Sequence, residues 1–445
     1  MNYNYFIDIT CIYFIVMILG KTLKKCISSL LDWCNRNKGN VSKKLKKLYK
    51  IHPMIKEHFP YSKVKLIEKY HSEHSNFGDF VYDLQSAVSM LCLIFGIIPF
   101  CMHAVIQLFP GLHTTWYYLI VGFGLSLVKT LMHMPVSYYS NFVIEAKYGF
   151  NRMTTKLFLK DSLKGFLLGT AITGVMITLI NYFMVKFGPF DWIDVGLFCA
   201  GVIGIGLIHE FLSMTVFLKM FNKLSPLTDK KLKKRIKKLL QQYGYSINMV
   251  YVMDSSKRST KANAFIGGWG KSKKIVLFDT LLKNFTNDEI ISILGHELAH
   301  GKKHHLIYSS ILSYSLLILR AYVTFWFIYD PELYQMFGFS WIDNTNVVEY
   351  SLLGLMLTNI IFSSIVWVLD PVWSWLSRIW EYQADEYSVK YTKNKKALIS
   401  ALVKLSSENM SDIFPDKFYE IYYYSHPSLS NRVKAINKIK EGGEE

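Results

Sequence analysis

Seven apolar runs constrain this 445-residue chain more than any other feature of it. They lie at about 5–20, 86–109, 116–134, 164–185, 193–217, 306–328 and 351–370. Most approach the ~20 residues that a helix needs to cross the hydrocarbon core of a bilayer. In lipid the backbone must satisfy its own polar groups, so runs of this length fold as helices. The first run carries Asp8 and no small-residue cleavage site follows it, so it reads as an uncleaved span rather than a signal peptide. Pro99 predicts a kink in the second. Lys129, His133, Glu210 and Arg320 fall within the runs or near their ends. Ionisable groups placed there either reach the interface or face a wet interior.

The positions of the basic residues orient the chain. There are 51 Lys and Arg against 33 Asp and Glu, a net charge of +18. An excess of this size is compatible with nucleic acid, but its distribution argues otherwise. Alternating the seven spans places 1–4, 110–115, 186–192 and 329–350 on one side, and these hold only Lys186. The opposite side, 21–85, 135–163, 218–305 and 371–445, holds nearly all the other Lys and Arg. That asymmetry is the positive-inside pattern, so 218–305 and the tail are expected to face the cytosol or nucleoplasm. The basic runs then read as solvated faces touching anionic lipid headgroups, with no nucleic-acid partner.

The segment after the fifth span carries the chemistry. A basic amphipathic helix is predicted over 229–243 and strands over 246–253 and 274–279, with a further strand and turn at Asn263–Gly270. Residues 286–305 contain His296-Glu297-Leu298-Ala299-His300, an H-E-x-x-H. On a helix, residues four apart share a face, so His296 and His300 can both point at one Zn²⁺. Glu297 stands beside them as general base. Thr286 and Glu289 have capping-box spacing, and Asp288 and Glu289 suit the positive end of the helix dipole. The six Cys all lie at or before Cys199, with no C-x-x-C, which excludes a thiolate metal site and argues against a disulfide framework.

A catalytic zinc takes three protein ligands and keeps one position for water. Beyond the seventh span Glu381 and Asp385 lie four apart on one helix face. Read with the metal helix, Glu381 is the third ligand, and Asp385 accepts the free imidazole N–H of a ligand histidine. Read alone, the pair is an exposed acidic face.

At this point the sequence resembles the type I CAAX prenyl endopeptidases, integral-membrane zinc metalloproteases that process prenylated proteins. The resemblance covers most of the chain. It is carried by Asn141–Asn151, Ser255–Ser259 with Asn263-Ala264-Phe265, Lys274–Leu282, Leu294–His300, Ser377-Arg378 with Glu381–Asp385, and Tyr424–Pro427 with Arg432. It implies a mainly α, polytopic fold: seven transmembrane helices around a water-filled chamber, capped by a cytosolic zincin-like α+β metalloprotease region. It implies one Zn²⁺ on His296, His300 and Glu381, with Asp385 supporting a ligand histidine and Arg432 bracing the site. His426 is implied to steady the transition state, and Asn263, Ala264 and Phe265 to hold substrate backbone on an edge strand. Farnesylated CAAX proteins are the implied substrates and membrane lipids the surroundings, in the endoplasmic reticulum or inner nuclear membrane. Departures from the family pattern are Ala299 for a common Gly, Gly301 for a large residue, and a Pro missing before Phe221. His304 and His305 are expected not to be ligands.

The expected organisation is 1–218 as membrane region with spans 1–5, and 219–305 as the metalloprotease region. Spans 6–7 follow at 306–370, and 371–445 is a helical tail completing the zinc site. Two other readings compete: a membrane quality-control zinc protease with no prenyl requirement, and a seven-helix transporter or scaffold without catalysis.

Overall fold

The computed structural model describes residues 3–246, 249–268 and 273–440. In chain order the N-terminal helices are α1 (Tyr3–Arg36), α2 (Val41–Ile51), α3 (Met54–His58), α4 (Tyr61–Ile94), α5 (Ile97–Leu108), α6 (Thr114–Tyr139), α7 (Thr155–Phe187), α8 (Trp192–Leu212) and α9 (Leu218–Phe221). A mixed region follows: β1 (Leu224–Pro226), α10 (Lys230–Tyr243), β2 (Val250–Met253), β3 (Ala264–Gly267), β4 (Lys274–Phe278), α11 (Asp279–Asn284) and α12 (Asn287–Lys302). The chain then returns to apolar helices, α13 (His305–Phe327), α14 (Pro331–Met336) and α15 (Ser351–Ser363). It ends on α16 (Asp370–Thr392), α17 (Lys395–Glu408), α18 (Lys417–Tyr423) and α19 (Leu429–Lys438).

Among the described residues, five helical stretches are long and apolar enough to cross a membrane: Tyr61–Ile94, Thr114–Glu145, Thr155–Phe187, Trp192–Phe221 and His305–Phe327. A sixth is counted if α15 and the helical stretch Val366–Thr392, bent by 52°, form one span. The expected first run at 5–20 lies in α1, whose side chains up to Met17 are outside the described residues, so the count of seven is not confirmed. The apolar windows of these helices are almost wholly unburied by protein, and Leu131, Leu163, Leu197, Ile208, Leu319 and Trp326 are among the exposed side chains. Surfaces of that kind are stable only against lipid, and the chain is a multi-pass membrane protein.

Two expected spans are interrupted. The run at 86–109 breaks at Gly96, which takes φ +57° between α4 and α5. Pro99, the predicted kink, instead sits in the first turn of α5, where its missing N–H has no intrahelical partner to lose. The run at 351–370 leaves its α-helix at Ser363 and passes through a 3₁₀ turn, Val366–Leu369, into α16. Of the charged residues in the runs, Lys129 and His133 line a cavity of about 640 Å³ between α6 and α7, together with Ser126, Thr130, Asp161 and Thr173. Arg320 donates to Asn359 across α13 and α15.

The mixed region is a four-stranded sheet of order β1-β2-β4-β3. β2 and β4 are parallel, whereas β1 and β3 pair antiparallel on the outside. β3 is therefore an edge strand, with Ala264 opposite Leu277 and Gly267 opposite Lys274. The expected turn at Trp269-Gly270 lies outside the described residues. α10 forms as predicted: Asp229 caps the N–H groups of Lys231 and Leu232, and Gly244 ends the helix at φ +75°. Its buried stripe of Leu232, Ile236, Leu239, Leu240 and Tyr243 joins Ile275, Leu277, Leu294 and Leu298 in one core beneath α12. A second core joins Leu45, Leu48, Ile55 and Phe59 from α2 and α3 to Leu398, Leu402, Leu429 and Val433 of the tail. The N-terminal segment 41–59 is thus packed into the C-terminal region. A third core, with Tyr118, Phe325, Tyr334 and Phe339, closes the far end of α13, about 34 Å along that helix from its start.

Candidate metal centre

α12 is built to present its histidines. Thr286 caps the N–H of Glu289, and the Glu289 carboxylate accepts the N–H of Thr286 in return at 2.8 Å. Ile290, Leu294 and Leu298 bury one face against the sheet and α10. The opposite side packs on α16 with almost no gap. A Cβ on Gly295 would stand 3.0 Å from the Ser388 hydroxyl oxygen and 3.1 Å from the Thr392 methyl. The hydroxyl of Ser388 donates to the Ser292 carbonyl at 2.7 Å. That approach sets His296, the next residue, against the Glu381–Asp385 face of α16.

His296 Nε2 and His300 Nε2 lie 3.2 Å apart. Glu381 completes a triangle, its Oε2 3.3 Å from His296 Nε2 and its Oε1 3.3 Å from His300 Nε2. Ligand atoms about 2.0–2.1 Å from a tetrahedral ion stand about 3.3 Å apart, so the nitrogen pair and each nitrogen–oxygen contact have the edge length of a zinc-sized tetrahedron, with the Glu381 carboxylate facing one imidazole through each oxygen. Glu381 is 4% exposed, and its Oε2 is a buried oxygen with no hydrogen-bond partner. A buried carboxylate oxygen lacking a donor is costly in a protein interior unless a cation meets it. The Arg432 guanidinium stands 3.5 Å from that oxygen without a hydrogen bond to it, so the donor set and the unbonded oxygen both fit a metal ion. Among the described residues this is the one group of His, Cys, Asp or Glu with that geometry.

The surrounding groups fix the ligands. His296 Nδ1 is 3.0 Å from Asp385 Oδ1, and Asp385 is 1% exposed. With Nδ1–H donating to that carboxylate, the Nε2 lone pair is free to face the metal position. Arg432 grips Asp385 through Nε at 2.8 Å and a terminal nitrogen at 2.6 Å, and places its other nitrogen 3.5 Å from Glu381 Oε2. Burial alone would disfavour charge on His296, but the Glu381 carboxylate and the Asp385 hydrogen bond outweigh it and raise its pKa, so the site favours positive charge at Nε2, where a metal ion would take the place of a proton. Glu297 is half-buried beside the pair; burial raises its carboxyl pKa while the two histidines pull it down. His426 reaches the same carboxylate from the loop before α19, with Nε2 3.3 Å from Glu381 Oε1 and 63% of its side chain exposed.

His305, expected not to be a ligand, has a supporting place that sequence reasoning did not assign. α12 ends at Lys302, and His304 takes φ +58°, which turns the chain back. His305 Nδ1 comes to 3.0 Å from His300 Nδ1, and its Nε2 to 3.0 Å from Gln383 Oε1. Its ring stacks on Trp380. A consistent set of protons follows: His300 donates from Nδ1 to His305, which donates from Nε2 to Gln383, leaving His300 Nε2 free. A histidine five residues after a ligand was the available signal, but continuing the helix would have aimed it elsewhere.

Asn263, Ala264 and Phe265 lie at the start of β3, beside α12, with Ala264 and Ile266 buried and Asn263 exposed. Gly301 is accounted for by its neighbour: a Cβ there would lie 2.7 Å from the Tyr245 hydroxyl, which accepts from Lys273 Nζ at 2.8 Å. Tyr245 fills the place of the larger residue expected at 301.

Comparison with known proteins gives one answer over both halves of the chain. The family model described as "Peptidase family M48" matches residues 226–440, and that described as "CAAX prenyl protease N-terminal, five membrane helices" matches 42–223. CAAX prenyl protease 1 of Saccharomyces cerevisiae is 33% identical over 392 residues, covering 83% of this chain and 84% of that protein. The CAAX prenyl protease 1 homolog of Homo sapiens is 31% identical over 71% of this chain and 72% of its own length. The crystal structure of S. mikatae Ste24p superposes with a TM-score of 0.83 at 28% identity, covering 96% of this chain and 99% of that one. With the H-E-x-x-H helix and the Glu381 helix inside the matched residues 226–440, and the N-terminal membrane helices from α4 to α8 inside 42–223, the chain belongs to the CAAX prenyl protease 1 family of M48 metallopeptidases.

Proposed function

We propose that this chain is a zinc metalloendopeptidase that removes the C-terminal aaX tripeptide from prenylated CAAX proteins. The observation that carries the reading is the triangle of His296, His300 and Glu381 with spacings of 3.2–3.3 Å, in a chain of this family. His296, His300 and Glu381 hold the ion. A bound Zn²⁺ supplies Lewis acidity and lowers the pKa of a water to about 7.

The chain's own groups do the rest. Glu297 accepts the proton of the attacking water and passes it to the departing amine. Its raised pKa is the direction that suits a group that must both take and give a proton. His426, exposed at the rim of the site, donates an imidazole N–H to the oxyanion of the tetrahedral intermediate. Asp385 and His305 hold the two ligand imidazoles in the required tautomers, and Arg432 offsets the charge of Asp385 and Glu381. The substrate backbone adds as a strand along Asn263, Ala264 and Phe265. Main-chain pairing accepts many sequences, so selectivity rests on the prenyl group, at roughly 0.8 kcal/mol per buried CH₂. The Lys and Arg asymmetry supports a cytosolic or nucleoplasmic catalytic face in the endoplasmic reticulum or inner nuclear membrane.

The test uses purified full-length protein in lipid. A farnesylated CAAX peptide is cleaved, its unprenylated twin is cleaved far more slowly, and a chelator stops the reaction until Zn²⁺ is returned. Equal rates on the two peptides would favour the quality-control protease. Glu297→Gln should retain metal and lose about 10³-fold or more in kcat. Retained turnover would remove Glu297 as the base.

A further inference from the structure

Resting on that reading of β3 as the substrate strand, we infer that Glu145 is a positioning residue for substrate, acting through Lys261. Glu145 closes α6, where the helix widens into a π-helical turn at Ser140–Glu145. Such turns re-aim a side chain out of the helical register and recur at functional sites. The carboxylate so placed is 15% exposed and gathers three donors from two other parts of the chain. The Tyr70 hydroxyl donates at 2.6 Å and His74 Nε2 lies at 2.9 Å, both from α4. The third is Lys261, whose Nζ reaches Glu145 Oε2 at 2.8 Å and the Tyr70 hydroxyl at 2.9 Å, and lies over the Phe150 ring.

Lys261 stands two residues before Asn263, where the edge strand begins. The backbone of that approach is pinned from separate elements. Thr260 N–H donates to the Phe150 carbonyl at 3.0 Å, and the Thr280 hydroxyl donates to the Lys261 carbonyl at 3.0 Å. The Asn409 amide holds Ala262 at both its N–H, 3.1 Å, and its carbonyl, 3.0 Å. Phe278 N–H then takes the Asn263 carbonyl at 3.1 Å. The strand therefore enters the site from a fixed point, and a charged tether of that point, Lys261, leads to a carboxylate at the cytosolic end of a membrane helix. A strand that pairs with substrate must present its free N–H and carbonyl groups within a few tenths of an ångström. The Glu145 cluster supplies that placement without touching the metal or the substrate.

The test is a double-mutant cycle on the full chain in lipid, with a farnesylated CAAX peptide as substrate. Glu145→Gln and Lys261→Met should each lower kcat/KM about ten-fold, mainly through KM, with Zn²⁺ content and melting temperature near wild type. The double variant should be no worse than either single one, because both break the same link. Lys261→Arg should restore most of the loss. Amide hydrogen exchange over 261–266, which needs no turnover, should rise in both single variants while that of α12 stays unchanged. Multiplying losses in the double variant would overturn the inference, as would unchanged exchange over 261–266, and either result leaves the strand reading intact. Faster exchange with KM unaltered would overturn the inference together with the strand reading.

Discussion

The two halves of the candidate metal centre are made by different means. His296, Glu297 and His300 come from consecutive turns of α12, and local rules place them: a capping box, an apolar stripe and an i,i+4 spacing. Glu381, Asp385, His426 and Arg432 come from α16, a loop and α19, and reach the site only through tertiary packing. The local half takes its spacing from the helix itself, and packing on α16, α10 and the sheet only orients it. The remote half depends on α13 and α15 bringing the chain back to the face it left, and on Gly295 letting α16 close on α12. Damage should differ accordingly: defects in the remote half ought to appear as lost metal and lost rate, and defects in the start of α12 as lost stability with the chemistry spared.

The largest effect is expected at Glu381. Glu381→Ala removes one of three candidate ligands, leaving two imidazoles and an Arg432 guanidinium with one counter-ion fewer. Metal content in purified protein should fall well below one per chain, and cleavage by about 10³-fold or more. Full metal occupancy in this variant would return Glu381 to the status of a plain acidic residue. Next in size is Asp385→Asn, which keeps the shape but removes the charge that Arg432 and His296 share. A loss of about 10–100-fold in metal affinity is expected, read by chelator competition. His305→Phe should follow at the low end of the same range. Phenylalanine keeps the stack on Trp380 but cannot accept from His300, so a fall in metal affinity would isolate the hydrogen bond from the packing.

Much of this was legible in the sequence, for reasons that the comparison explains. The α12 motif, its cap and the basic helix α10 rest on signals within one or two turns, and they appear where the spacing put them. Glu381 and Asp385 were readable as a pair because they too share a helix face. What was not legible depended on distant contacts or on single backbone torsions. The break at Gly96 is a left-handed residue inside a continuous apolar run, and hydropathy does not report torsions. β1 has three residues, one of them Pro226, and exists only because β2 offers it a partner. The basic runs read as solvated faces, but within α2 Leu45 and Leu48 are buried by tail residues more than three hundred positions away. His305 is turned back by His304, so helical extrapolation misplaces it.

The smallest predicted effect tests the local half alone. Thr286 caps α12 with its hydroxyl oxygen 3.4 Å from the Glu289 N–H, a long contact, whereas Glu289 returns a 2.8 Å bond and also accepts from Ser400 at 2.5 Å. The cap is therefore carried more by Glu289 than by Thr286. Thr286→Ala should lower stability by about 0.5–1 kcal/mol, the weak end of the range for a lost N-cap. Glu289→Ala leaves the Ser400 hydroxyl and the Lys404 ammonium, 3.5 Å away, without their shared acceptor, and should lower it by about 2–3 kcal/mol. Both are read by thermal unfolding in detergent. Metal content and cleavage at temperatures below the transition should stay near wild type in each, because the packing of Gly295 on α16 holds His296 in place whether or not the first turn frays. If Thr286→Ala instead lowered metal affinity at unchanged stability, α12 would be tuned along its whole length, and the division between a locally shaped half and an assembled half would fail.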